Sequence, residues 1–177
     1  MCIRDRNSAN FSVYFKNSLI VTVSVVLIVL FATSLAGYVI GRYSFFGKKF
    51  LMAVFISSTT IPLVFTIIPI YELLKSIGLS QSIVGLILAE AGGGHVIFLM
   101  LFASYYAGLP RELEESASLD GAGYITCFFK IILPLCKPII AAVAVFVAVG
   151  QWNSWFDNHI YTRAVSYTHL TLPTKRI

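Results

Sequence analysis

The run Leu19 to Ile40, "LIVTVSVVLIVLFATSLAGYVI", carries no charged side chain. A helix rises about 1.5 Å per residue, so the run is long enough to cross the roughly 30 Å hydrocarbon core of a bilayer. Few folded environments other than lipid accommodate such a segment. Composition agrees. Apolar residues make up 58% of the chain and charged residues 12%, with a mean hydropathy of +0.84, against about 25% charged in an ordinary soluble domain. The expected fold is all-α, a polytopic bundle of membrane helices. The net charge of +5 then reads as Lys and Arg gathered on cytoplasmic loops, not as a nucleic-acid surface.

The two ends are set aside. "MCIRDR" can be written ATG TGT ATA AGA GAC AGA, and "VSYTH", residues 165–169, can be written GTC TCT TAT ACA CAT. The reverse complement of the second encodes the first five residues. Ends related as an inverted DNA repeat read as translated sequencing adapter, so residues 1–6 and 165–177 are excluded from fold reasoning. Residues 7–164 are then expected to be a fragment of a transmembrane domain. Cys2 and His169 leave the argument with the ends. Cys127 and Cys136 remain, at a spacing that matches no metal or redox pattern, and they are expected to be reduced, small apolar residues.

Four spans are expected. The first is Leu19 to Ile40, followed by "GRYSFFGKKF", where Arg42, Lys48 and Lys49 meet no acid and mark the cytoplasmic side. The second runs from Phe50 to Tyr71 and contains Pro62 and Pro69. A membrane helix can kink there if neighbouring groups, among them Thr59, Thr60 and Thr66, satisfy the freed carbonyls. "ELLKSIGLSQS" is expected to be a short interfacial helix on the outer side. The third span, Ile83 to Tyr106, includes "AEAGGGH", with Glu90 and His95 at membrane depth. An acid at the bilayer centre costs about 2.5–3.5 kcal/mol on insertion scales, so such residues face protein or water. They either line a solute path or pair with each other, a neighbouring helix or a second subunit. Gly92 to Gly94 are read as close helix packing, with local unwinding as the alternative. The fourth span starts at Pro138 and runs into "GQWNSWFDNHIY". There Trp152, Trp155 and Tyr161 suit an interfacial aromatic belt, and Asn153 or Asp157 can face a pore.

Between spans three and four lies one long polar loop, residues 110–137. Residues 111–120 hold four acids, Glu112, Glu114, Glu115 and Asp120, and "GAG" follows. Pro110 suits the first turn of a helix whose N-terminal dipole favours the three glutamates. Gly121 or Gly123 can take the left-handed conformation a reversal requires. Asp120 can cap the next helix, where Ile125, Phe128, Phe129 and Ile132 form an apolar stripe. The expected product is two short helices joined by a tight elbow. A rigid elbow of this length suits a docking surface better than a plain connector.

The stretch "ELEESASLDGAGYITCFFKIILPL" resembles the EAA loop of ABC-importer permease subunits. Glu115-Ser116-Ala117 stands for Glu-Ala-Ala, with Ser in place of the first Ala. Gly121 stands at the glycine after Asp120, and Ile131, Leu133 and Pro134 complete the pattern. "NSLIV", "AGYVIGRYSFFGKK", "IPIYELLKSIGLSQS" and "WNSWFD" are similar to the maltose-type carbohydrate branch. The likeness covers nearly all of residues 17–158. It implies six spans in the whole protein, a second permease subunit, an extracytoplasmic solute-binding protein and a sugar substrate, in a bacterial or archaeal plasma membrane. It also implies that the elbow fits a groove on a cytoplasmic ATPase, whose closure drives alternation between outward- and inward-facing states. Glu115, Ala117, Asp120, Gly121, Ile131 and Pro134 would carry that coupling, and Glu90, His95 and Asn153 the path.

No phosphate-binding glycine loop is present, since "GGGHVIF" lacks the Lys and hydroxyl such a loop needs. Glu90 and His95 do not form a metal pair of the H-E-x-x-H kind. No cofactor and no catalytic activity are therefore expected of this chain. The rival readings are an ABC permease for a non-sugar solute, and a secondary transporter or channel.

Overall fold

The structure is a computed structural model that describes residues 11–62, 64–80 and 82–154. Among the described residues the only regular elements are helices: α1 Phe11–Arg42, α2 Lys48–Ser58, α3 Val64–Ser76, α4 Ile83–Gly92, α5 Val96–Ala107, α6 Glu112–Leu119, α7 Tyr124–Cys127, a π-helical turn Phe128–Ile132, α8 Leu133–Leu135 and α9 Lys137–Asn153. The excluded ends, with Trp155, Asp157 and Tyr161, lie outside the described residues.

Among the described residues, Val13–Arg42 is long and apolar enough to cross a membrane alone; counting Ile83–Gly92 with Val96–Ala107, and Tyr124–Leu135 with Lys137–Asn153, as broken spans raises the number to three. The sequence predicts four. The difference arises at Phe50 to Tyr71, which forms two helices instead of one kinked helix. The residue before a proline is pushed out of the α region, and α2 ends ahead of Ile61-Pro62. Ser58 Oγ and Thr59 Oγ1 donate to the Phe55 and Ile56 carbonyls at 2.7 and 2.6 Å, so hydroxyls do satisfy part of the frayed end. Pro69 stays within α3. Nor is the outer helix separate, because α3 runs through Glu72 and Lys75 to Ser76.

The chain divides into two compact units. One holds the described residues of 1–25, 62–93 and 148–177, and the other holds Val26–Ile61 and Gly94–Val147. In the first, Val21, Val25, Ile67, Leu74, Leu86 and Ala89 are buried. Gly78, at φ +73°, closes α3. The Leu79 amide donates to the Leu74 carbonyl at 2.8 Å and the Gly78 amide to Lys75 at 3.1 Å, the paired bonds of a Schellman close. Ser82 then caps α4 by accepting from the Gly85 amide at 2.9 Å. Trp152 is exposed and meets Phe15 edge-on, ring centroids 6.0 Å apart.

In the second unit α1 and α5 pack closely. Val29, Thr33, Gly37 and Gly41 recur every four residues along one ridge of α1. A Cβ added at Gly37 would lie 2.6 Å from Phe102 Cβ, and one at Gly41 would lie 2.5 Å from the Ala103 carbonyl oxygen. Small residues at this spacing let two apolar helices approach backbone to backbone. Ile40, Leu99 and Ala103 form the adjoining core, with Met52 and Phe55 of α2 against it. Gly41→Ala is expected to cost about 1–3 kcal/mol by overpacking. Gly150→Ala meets nothing within 4 Å and serves as its control. Thermal unfolding of the full-length protein in detergent should separate the two.

The glycines at 92–94 behave differently from the packing expectation. Nothing lies within 4 Å of a Cβ at Gly92, Gly93 is extended (φ −82°, ψ 107°) and Gly94 has φ +58°. They end α4 and unwind the chain before α5.

Candidate functional site

The acidic loop folds as the two-helix elbow, with changes of detail. Pro110 lies outside the first helix, whose opening turn carries Glu112, Glu114 and Glu115. Gly121, at φ +78°, is the reversal. The Ala122 amide donates to the Ala117 carbonyl at 2.9 Å and the Gly121 amide to Ser118 at 3.0 Å, again a Schellman close. Gly123 has negative φ and is the N-cap of α7, with no side-chain bond. Asp120 is therefore the C-cap of α6 and not the cap of the second helix. The six-residue geometry of the close places Gly123, two residues past the reversal, at that position. The apolar stripe is also split: Phe128 and Ile132 are buried, while Ile125 and Phe129 face outward. A π turn widens the helix at Phe128–Ile132, where the Leu133 amide reaches back to the Phe128 carbonyl. That rotates the downstream residues out of α register just before Pro134.

The residues expected to carry coupling occupy different environments. Glu115, Asp120, Gly121 and Pro134 are exposed and Ile131 is half-buried. Ala117 is 4% exposed, so its small size serves packing inside the unit rather than approach of a partner. Around Gly121, Leu119, Tyr124 and Ile125 stand 88%, 77% and 76% exposed. The tip of the elbow is thus apolar with acids beside it.

Behind the elbow sits a polar cluster that the sequence did not single out. Arg42, the last residue of α1, has a side chain only 3% exposed. Its Nε donates to Glu114 Oε1 at 3.0 Å, and its Nη2 lies 3.0 Å from Oε2. Nη1 donates to the carbonyls of Tyr106 (3.2 Å) and Leu109 (2.7 Å), and Nη2 to that of Pro110 (3.1 Å). A guanidinium has five N–H donors; four make hydrogen bonds here, and Nη2 also forms the ion pair with Oε2. The fork on Glu114 is bidentate, and the cation also caps the C-terminal end of α5, where the helix dipole favours it. Tyr38 Oη donates to Glu114 Oε1 at 2.9 Å, and its ring packs against Phe128 and Tyr106 at 4.9 and 5.8 Å. Ser34 Oγ and Tyr106 Oη share a 2.6 Å hydrogen bond one turn further in. Tyr38, Arg42, Tyr43, Glu114, Glu115 and Tyr124 line a cleft of about 650 Å³.

Both loop cysteines are buried and free. Burial pushes the thiols up, that of Cys136 to about 11, so they stay protonated at neutral pH. Among the described residues no group of His, Cys, Asp and Glu could hold a metal ion.

The three path residues divide between the two units, Glu90 and Asn153 in the first and His95 in the second. Glu90, half-buried at the end of α4, accepts from Gln151 Nε2 at 2.9 Å. His95, in the other unit, stacks on Phe98 with ring centroids 6.0 Å apart. Asn153 is exposed and donates to the Val149 carbonyl at 2.8 Å. Gln151, which the sequence did not single out, is thus one partner of Glu90.

A family of known proteins matches this chain over residues 33–155, described as "binding-protein-dependent transport system inner membrane component". The chain belongs to that family. Among similar proteins, the diacetylchitobiose uptake system permease NgcG of Streptomyces coelicolor is 34% identical over 147 residues, 83% of this chain and 49% of its own length. The alpha-glucoside transport system permease AglG of Rhizobium meliloti is 36% identical over 144 residues, 78% of this chain and 38% of its own length. The chain thus spans about half or less of these relatives. The fold matches a crystal structure of a bacterial ABC transporter involved in import of the acidic polysaccharide alginate, with TM-score 0.76 at 22% identity, over 84% of this chain and 52% of that one. The matched stretch of this inner membrane component contains both the elbow and the Arg42 cluster.

One signal pointed toward Arg42: it is the first charge after the long uncharged run that follows Lys16. Nothing in the sequence separates Glu114 from Glu112 and Glu115.

Proposed function

We propose that this chain is part of the permease subunit of a sugar-importing ABC transporter, in the plasma membrane of a bacterium or archaeon. It forms part of the translocation path and couples it to a cytoplasmic ATPase. One observation carries the reading: a rigid, glycine-closed elbow whose tip exposes Leu119, Tyr124 and Ile125 beside Glu115 and Asp120. Large apolar side chains at a protruding tip, flanked by charge, suit a partner groove rather than water. The sugar assignment rests on relatives named for diacetylchitobiose and alpha-glucoside transport.

The mechanism follows from this arrangement. An ATPase seated on the elbow moves when it binds and hydrolyses ATP. Glu115, exposed on α6, offers a carboxylate to a basic residue of the ATPase, and Gly121 lets the partner surface come close. The displacement reaches the membrane helices through the loop, and the chain with a second permease subunit alternates between two openings. A solute-binding protein delivers the sugar at the outer face. Glu90 with Gln151 presents carboxylate and amide groups suited to sugar hydroxyls, and His95 and Asn153 are further candidates for that lining. The chain supplies the path and no bond-making chemistry.

Co-purification tests the reading. The full-length permease, extracted in mild detergent, is expected to bring down an ATPase subunit and a second permease. In proteoliposomes with the binding protein it should take up a labelled oligosaccharide only with ATP inside. Uptake without ATP, or a permease that carries no ATPase, would sink it.

A further inference from the structure

We infer that Arg42 and Glu114 form a strut that ties the coupling helix α6 to the end of α1, so that displacement of the elbow moves α1 instead of bending the connection between. They are positioning residues for the coupling just proposed, and the inference rests on that reading. Adjacent acids then have separate duties: Glu115 faces outward to a partner, while Glu114 faces inward and is committed to Arg42.

Three observations carry this. Arg42 joins three elements at one point, since its own helix is α1, its backbone acceptors are the Tyr106 carbonyl in the last turn of α5 and the Leu109 and Pro110 carbonyls of the connection that follows, and its carboxylate partner is on α6. Glu114 receives three donor contacts, from Tyr38 Oη and from Arg42 Nε and Nη2, which fixes both of its oxygens. Residues 108–111, between α5 and α6, hold no regular helix, so without the strut this connection is where a push at the elbow would be absorbed. Gly41, next to Arg42, already sets α1 against the α5 backbone. The strut adds α6 to that rigid pair.

The test measures ATP hydrolysed per sugar imported, in proteoliposomes of the full-length transporter. Glu114→Gln removes the charge and one acceptor while keeping the shape. It is expected to retain the ATPase on the purified complex and to raise the ATP-to-sugar ratio about fivefold or more, the scale of a typical coupling free energy between sites. Glu115→Gln is expected to lower the amount of ATPase that co-purifies. Arg42→Lys, which keeps the charge without the fork, should fall between wild type and Glu114→Gln. Tyr38→Phe removes only one hydroxyl and should raise the ratio less, in the same direction. A purely structural role would reduce the yield of complex and leave the ratio of the remainder unchanged.

Glu114→Gln with the ATPase retained and a wild-type ratio would overturn the inference. So would Glu114→Gln shedding the ATPase as Glu115→Gln does, since Glu114 would then be a docking group. If Glu114→Gln does not assemble, Tyr38→Phe decides, and an unchanged ratio there overturns it too. A wild-type complex that carries no ATPase defeats the importer reading itself, and that outcome is visible before any variant is made.

Discussion

Replacing Arg42 by Ala is expected to remove most assembled protein from the membrane. The change strands Glu114 in a site where it is only 24% exposed, and it takes the donor from three backbone carbonyls. Removing one partner of a buried ion pair costs about 3–5 kcal/mol, because the other charge stays behind unpaired. Glu114 keeps some access to water, so the lower end of that range applies. Even about 3 kcal/mol shifts a folding equilibrium roughly a hundredfold, a large fraction of a marginal stability. The double change Arg42→Met with Glu114→Leu should recover part of the loss, since no carboxylate is left stranded. Fluorescence-detected size exclusion of the full-length protein, before and after heating, checks both variants. A wild-type profile for Arg42→Ala would mean that the cluster contributes little to the fold.

Gly121→Asp is expected to leave insertion and expression intact while import falls at least tenfold. Nothing within 4 Å would meet a new Cβ, so the chain itself has room for the side chain. The backbone penalty at φ +78° is about 1–2 kcal/mol for an ordinary L-residue and less for Asp, which tolerates the left-handed region. The loss must therefore come from outside the chain, from a partner surface that packs against the tip. Gly121→Ala adds less bulk and should lose less. Gly123→Ala tests the backbone argument, because Gly123 has φ −71° and needs no special freedom. Uptake rate and ATPase stimulation, measured on one preparation, separate these cases. Normal transport with unchanged stimulation in Gly121→Asp would refute docking at the elbow.

Much of this was legible from residues. The uncharged run after Leu19 required a membrane helix, and α1 extends it at both ends because Phe11 to Ser18 and Gly41-Arg42 continue the helix without a proline. Acids followed by "GAG" fixed the elbow, and Gly121 took the left-handed position as one of two candidates. Other features depended on partners distant in sequence. Gly37 and Gly41 look like any pair of small residues until Phe102 and Ala103 are placed against them. Gly92 to Gly94 have the same composition and the opposite use, breaking a helix instead of packing one. Pro62 and Pro69 are both prolines in an apolar stretch. A helix accepts Pro69 and ends before Pro62, and periodicity does not distinguish them. Glu114 and Glu115 are neighbours of one type, and only the rotation of about 100° per residue along α6 turns one toward Arg42 and the other toward solvent.

Arg42 also has a history within the life of one polypeptide. Glu114 follows it by 72 residues, so during synthesis Arg42 leaves the ribosome long before its partner exists. At that stage it is a bare cation at the end of an apolar segment, of the kind that decides which way the translocon orients a nascent span. Once the later helices arrive, the same guanidinium is withdrawn from water and its donors are spent internally. One charge is thus available to topogenesis first and to the finished architecture afterwards, and Arg42→Ala is expected to be felt in both biogenesis and the mature protein.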